Sequence, residues 1–198
     1  MSESILNFLD GEVKKYLIPD IERLQKLRPQ GPEGLAACTI PTAMLLFVIV
    51  DLFGYLLRKD ARHPKLDDTE GNLRAIFTHS LTGFPSEYNE RLKTLVALFR
   101  NGLMHQIFPK AAGIRKAGNT DHLFDHFNGL DHMNVDRFSA DVLTMIRNLC
   151  QHLRASEWNN LRQQMSERLD RIAQSNFREM SLKKQAERGV PPDRLRSR

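Results

Sequence analysis

Residues 40–57 read Ile-Pro-Thr-Ala-Met-Leu-Leu-Phe-Val-Ile-Val-Asp-Leu-Phe-Gly-Tyr-Leu-Leu, with Asp51 as the only charge. A membrane-spanning helix needs about 20 apolar residues, and an aspartate near its centre costs at least ~2.5 kcal/mol. Pro41 stands at the start, where a helix tolerates the missing N–H. The stretch therefore predicts a buried core helix over 41–59, against which other amphipathic helices must pack, and no membrane partner is expected.

The flanking sequence supplies those helices. Ile5, Leu6, Leu9, Val13, Leu17, Ile21, Leu24 and Leu27 recur at helical spacing over 3–28, with Pro19 expected to kink or divide the run and Pro29-Gln30-Gly31-Pro32 to end it. A polar loop is predicted from Arg58 to Gly71, then a short helix over 72–81 that stops before Gly83-Phe84-Pro85. Ser86 opens a long helix with the stripe Leu92, Val96, Phe99, Leu103 and Ile107, closed by Pro109. Ala111–Thr120 reads as loop. Asn128-Gly129 between short apolar runs predicts a two-stranded hairpin near 122–134, and Asn134 or Asp136 is placed to cap the next helix. That helix carries Phe138, Val142, Ile146, Leu149 and Leu153. A last one runs from Ser156 with Trp158, Leu161, Met165, Leu169, Ile172, Phe177 and Met180, to Gly189-Val190-Pro191-Pro192. The expected architecture is all-α: a helical bundle over 1–155 with that hairpin as its only sheet, a long C-terminal helical arm over 156–188, and a basic tail over 189–198 expected to lack order. A sheet of three or more strands would contradict it.

Composition bounds the function. The 198 residues are 41% apolar and 27% charged, which excludes a wholly disordered chain and allows one ordinary core. Cys38 and Cys150 stand far apart, which excludes a disulfide scaffold or a cysteine-rich zinc site and fits a reducing cytosol. Met1-Ser2-Glu3-Ser4 shows no basic start or apolar leader, so a cytoplasmic location is expected. The net charge is +5, but Lys183 to Arg198 holds six basic and two acidic residues, or +4. Residues 1–182 hold 23 basic and 22 acidic, or +1, which is not the footprint of a dedicated DNA-binding domain. There is no P-loop, GxGxxG or GxSxG sequence. His122, His126 and His132 lie near Asp121, Asp125 and Asp131, and His122 and His126 would share a sheet face. No HExxH or closed ligand set accompanies them, so they read as exposed hairpin residues; neither metal nor cofactor is expected.

The remaining chemistry sits at Phe99-Arg100-Asn101-Gly102-Leu103-Met104-His105. Arg100-Asn101-x-x-x-His105 resembles the signature of the HEPN superfamily, all-helical domains whose motif joins an arginine, a polar neighbour and a histidine four to six residues on. The resemblance covers about residues 1–155 and extends weakly to the helical layout. It implies a metal-independent endoribonuclease, in the manner of a toxin or defence effector, acting as a homodimer with two facing motifs. It also implies RNA as substrate and, for a toxin, an antitoxin or other protein partner. Asp51 resembles the acidic residue that some of these families carry in an early helix facing the motif; the structural reading, a partner for Arg100 or for a backbone donor, stands ahead of a catalytic one.

The same arginine-to-histidine spacing occurs at Arg58/His63, Arg74/His79 and Arg147/His152, the last again with an asparagine, Asn148. Helical geometry favours the 100–105 match. At about 100° per residue Asn101 and His105 share one face, opposite Phe99 and Leu103, and Gly102 leaves room between them. Arg147/His152 is the rival. In the implied reaction the RNA 2′-hydroxyl attacks the adjacent phosphorus. His105 moves the proton as general acid–base, Arg100 holds the developing charge through two-pronged contacts, and Asn101 orients the phosphate or the imidazole. Asp51 supports them. The bland alternative pairs Arg100 with a carboxylate and leaves His105 at its helix end. Two further readings compete: a catalytically silent HEPN-like interaction or nucleotide/RNA-binding module using the same groove, and a helical adaptor docking through 156–188. The near-neutral body favours these over tight RNA binding.

Overall fold

The computed structural model of the chain describes residues 4–27, 39–58, 68–98, 113–115, 122–127 and 130–187, with the backbone alone at 127, 130 and 176–187. The chain is mostly helical and carries a small three-stranded sheet. Helix α1 (Ser4–Phe8) passes into a π-helical segment (Leu9–Leu17) and then into α2 (Ile18–Lys26) with helical dihedrals at both joins. Pro19 neither ends the run nor divides it. A proline ring crowds the carbonyl four residues back. The wider π turn ahead of Pro19, in which the Ile18 N–H reaches the Val13 carbonyl, carries the helix past it.

Helix α3 (Thr39–Leu57) is the predicted core helix, with Leu46, Phe47, Val50, Phe53 and Leu56 fully buried. Among the described residues it is the one helix long and apolar enough to cross a membrane; 61% of its most apolar window is buried within the protein. Helix α4 (Thr69–Thr78) starts three residues earlier than its apolar pattern predicts, because Asp68 is an N-cap rather than a loop residue. Its Oδ1 accepts from the Gly71 N–H at 3.1 Å.

The long helix expected from Ser86 is interrupted. Helix α5 (Glu87–Glu90) and α6 (Leu92–Val96) join at Arg91, whose φ of −93° and ψ of 11° lie outside the helical well. The buried positions are Leu92, Leu95 and Leu98, with Val96 at the margin, so the core face is turned from the predicted stripe. Phe99, Leu103 and Ile107 lie outside the described residues.

The sheet corrects the all-α expectation. Strands β2 (Phe124–Phe127) and β3 (Leu130–Asn134) pair antiparallel with Phe127 opposite Leu130; the Asn128-Gly129 turn itself lies outside the described residues. A third strand, β1 (Gly113–Arg115), pairs parallel with β3, so the order is β1-β3-β2. It falls in the stretch read as loop. Three residues are too few to show alternation, and the strand is defined by its partner. Gly113 lies against the His132 ring, where an added Cβ would come within 2.0 Å and the ring would have to move. One sheet face, Ile114, Met133 and Phe124, lies against the core.

Asn134 then caps α7 (Val135–His152), its Oδ1 accepting from the N–H groups of Asp136 and Arg137. The whole predicted α7 stripe, Phe138, Val142, Ile146, Leu149 and Leu153, is buried. A 3₁₀ turn (Ser156–Trp158) leads into α8 (Asn159–Glu187). The first half of α8 lies on the body of the protein, with Met165 and Ser166 fully buried and Arg168 nearly so. The tail over 189–198 lies outside the described residues.

Candidate functional site

A carboxylate in the middle of an apolar helix has to find a donor or stay wet. Asp51 does so on the side of α3 that meets α4: its Oδ1 accepts a hydrogen bond from Asn72 Nδ2 at 3.0 Å. Asn72 is fully buried and stands on the core face of α4 beside Leu73 and Ile76. The approach depends on Gly54, one turn beyond Asp51, since a Cβ at 54 would sit 2.1 Å from the Asn72 carbonyl oxygen. Two turns beyond Asp51, the nearly buried Arg58 donates from Nη1 to Asp68 Oδ2 at 2.5 Å. Gly71 accommodates this pair, because a Cβ there would meet the Arg58 guanidinium and Asp68 Oδ2. The seam between α3 and α4 thus holds an acid–amide pair and an ion pair, each admitted by a glycine.

Of the residues singled out in the sequence, Asp51 is described; Arg100, Asn101 and His105 lie outside the described residues. The rival spacings have other engagements. Arg74 pairs with Glu70 at 2.8 Å, and His79, just past the end of α4, accepts the Leu81 N–H on Nδ1 at 3.2 Å. Arg58 is bonded to Asp68, and His63 lies outside the described residues. Arg147 is exposed and 3.8 Å from Glu22. Asn148 reaches away from its neighbours to donate to the Thr82 carbonyl at 3.3 Å, beside Gly83, whose φ of 72° suits a residue without Cβ. His152 occupies the last turn of α7, where a histidine complements the carbonyl end of the helix.

The sheet histidines do not converge. His126 is exposed and 3.2 Å from Asp131 on the paired strand; His132 lies opposite Asp125, which is ion-paired with Arg115 at 2.9 Å. Among the described residues no group of three or more histidine, cysteine or acidic side chains is arranged to hold a metal.

Two further polar groups lie near the core. Tyr88 is buried and donates to Asp141 Oδ2 at 2.8 Å, an oxygen that also accepts from Arg137 Nε. Burial, and then the Asp141 charge, push its phenol well above the usual tyrosine range. Burial also raises the Cys150 thiol, so it is not an activated nucleophile.

Asn72 and Gly54 are the residues of this seam that the sequence reading missed. The signal present was a polar side chain in register with the apolar face Leu73 and Ile76. No family model matches the chain, and neither a curated protein nor a solved structure matches it.

Proposed function

We propose that the chain is an HEPN-like, metal-independent endoribonuclease, cytoplasmic and dimeric, with Arg100 and His105 as the catalytic pair, Asn101 orienting and Asp51 supporting. The observation that carries the reading is the Asp51 site. An ionisable residue is retained in the middle of the core helix and is held by a fully buried amide rather than merely exposed. The engagement of Asn148 with the Thr82 carbonyl supports the choice of the Arg100/His105 match over Arg147/His152. Attack by the RNA's own 2′-hydroxyl forms the cyclic phosphate and breaks the bond to the next nucleotide's 5′-oxygen, which leaves as a hydroxyl; it needs an acid–base group and a charge-stabilising donor, which histidine and arginine supply without a metal. A toxin or defence role, with an antitoxin as partner, is part of the same proposal.

The test is the chemistry of the product. Purified chain incubated with single-stranded RNA in EDTA yields fragments ending in a 2′,3′-cyclic phosphate. Cleavage that needs a divalent ion, or that leaves a 3′-hydroxyl, overturns the reading.

The charge distribution favours one alternative. The body carries only +1, so a catalytically silent HEPN-like module that binds a protein or nucleotide through the same groove is the second reading. Folded chain that cuts no RNA under either condition selects it.

A further inference from the structure

We infer that the C-terminal arm of the chain, from Ala173 onward, is the surface by which this protein holds the phosphate backbone of a nucleic-acid strand. Ile172 is the last described apolar residue of α8 that packs against the core. The side chains that follow it, Ala173, Gln174 and Ser175, are exposed, while the helix backbone continues to Glu187. At 1.5 Å per residue, 173–187 adds about 22 Å of helix past that point. The charge of the chain divides at the same place. Residues 173–198 hold seven basic and three acidic residues, or +4, whereas residues 1–172 hold 22 and 21, or +1.

The composition of the arm selects its partner. A lipid surface takes a helix with a broad apolar face. Residues 173–187 offer Phe177, Met180 and Leu182 as their only large apolar residues, against Gln174, Ser175, Asn176, Ser181 and Gln185. Serine, asparagine and glutamine hydrogen-bond phosphate and sugar oxygens, and lysine and arginine neutralise phosphates and release their counterions. Such a hold is independent of base sequence and of any chemistry done on the strand. It therefore goes beyond the ribonuclease reading and does not require it.

The experiment is the salt dependence of binding of the full chain to a fluorescein-labelled 2′-deoxythymidine oligonucleotide, which lacks the 2′-hydroxyl and so is not cut by the proposed chemistry. Four net charges on a single strand give a log–log slope of about −3, so raising salt from 50 to 200 mM weakens binding about 60-fold. The variant carrying Arg178→Gln, Lys183→Gln, Lys184→Gln and Arg188→Gln leaves the arm neutral. It keeps the wild-type unfolding midpoint, binds about 10-fold more weakly at 50 mM salt and has a slope near zero. A folded variant that matches wild type in affinity and slope overturns the inference. So does a wild-type chain that leaves the oligonucleotide unbound, whether or not it binds vesicles of phosphatidylserine and phosphatidylcholine. A variant that loses the oligonucleotide together with the wild-type sedimentation assigns the arm to a second copy and overturns it too. Where the variant does not fold, wild type decides: the amide resonances that shift on adding the oligonucleotide belong to 173–198, and shifts confined to 1–172 overturn it. RNA cleavage is read separately, so a chain that binds as expected and cuts nothing removes the ribonuclease reading and leaves this inference standing.

Discussion

At Tyr88, burial and a neighbouring carboxylate act in the same direction. The phenol stays protonated in the fold beyond pH 10, whereas in the unfolded chain it ionises near 10.0. Above that pH the unfolded state binds fewer protons than the native state, so stability falls as pH rises. Tyr88→Phe removes this contribution: urea midpoints of the variant decline less steeply than wild type between pH 10 and 11, although the lost bond to Asp141 lowers its stability at pH 7. Equal slopes for the two proteins contradict the assignment. Gly54 makes a second residue-scale prediction. In Gly54→Ala the new methyl meets backbone, not a flexible side-chain tip, so the helices must separate. The expected loss is about 3 kcal/mol by urea unfolding, the upper range for overpacking. At this scale Asp51 was legible because a charge in an apolar run stands out. Asn72 was not, because one amide in a mixed polar–apolar helix looks like ordinary surface until the facing helix is known.

Side chains from within α8 satisfy backbone groups at the start of α1 and the end of α3. The Ile5 N–H at the start of α1 donates to Ser166 Oγ at 3.2 Å, and Arg168 Nη1 donates to the Leu56 carbonyl at the end of α3 at 2.7 Å. Orphan groups at helix ends are costly when buried, so α8 is fastened to the body by more than its apolar stripe. Arg168→Met, which keeps the stem and removes the donors, costs about 2 kcal/mol, the range for a bond from a charged group. Ser166→Ala costs about 1 kcal/mol and speeds hydrogen exchange at the Ile5 amide. Unchanged unfolding midpoints in both variants would show that apolar contact alone holds α8. Element identity was legible wherever a 3.6-residue stripe ran long enough, as in α3 and α7. Strand β1 was not, since Gly113-Ile114-Arg115 has no pattern of its own and depends on pairing with β3. The π turn before Pro19 leaves the apolar residues nearly in place, so periodicity does not register it, and the break at Arg91 goes with a core face of Leu92, Leu95 and Leu98 that the predicted stripe does not follow.

For the whole molecule, charge and assembly frame the proposal. A body of +1 gives little non-specific hold on RNA, so affinity must come from the basic segment over 183–198 and from two sites acting together. A homodimer is accordingly expected. Sedimentation at high micromolar concentration gives about twice the 22.8 kDa chain mass, and a species of 22.8 kDa alone contradicts it. The candidate site was legible only as spacing, which occurs at four places in the sequence, and the Arg100/His105 match lies outside the described residues. Three of those matches have a described residue, and Arg58, Arg74, His79 and Asn148 are bonded to groups that serve the fold. The central claim, that Arg100 and His105 perform the chemistry, is tested most directly by single-turnover RNA cleavage in EDTA. The comparison is between wild type, His105→Ala and His152→Ala, each first shown to retain the wild-type unfolding midpoint. The account predicts a loss of about 10²–10⁴-fold for His105→Ala, the scale of a removed general acid–base, and near wild-type cleavage for His152→Ala. Loss of cleavage in His152→Ala with His105→Ala unaffected would contradict it and move the site to Arg147 and His152.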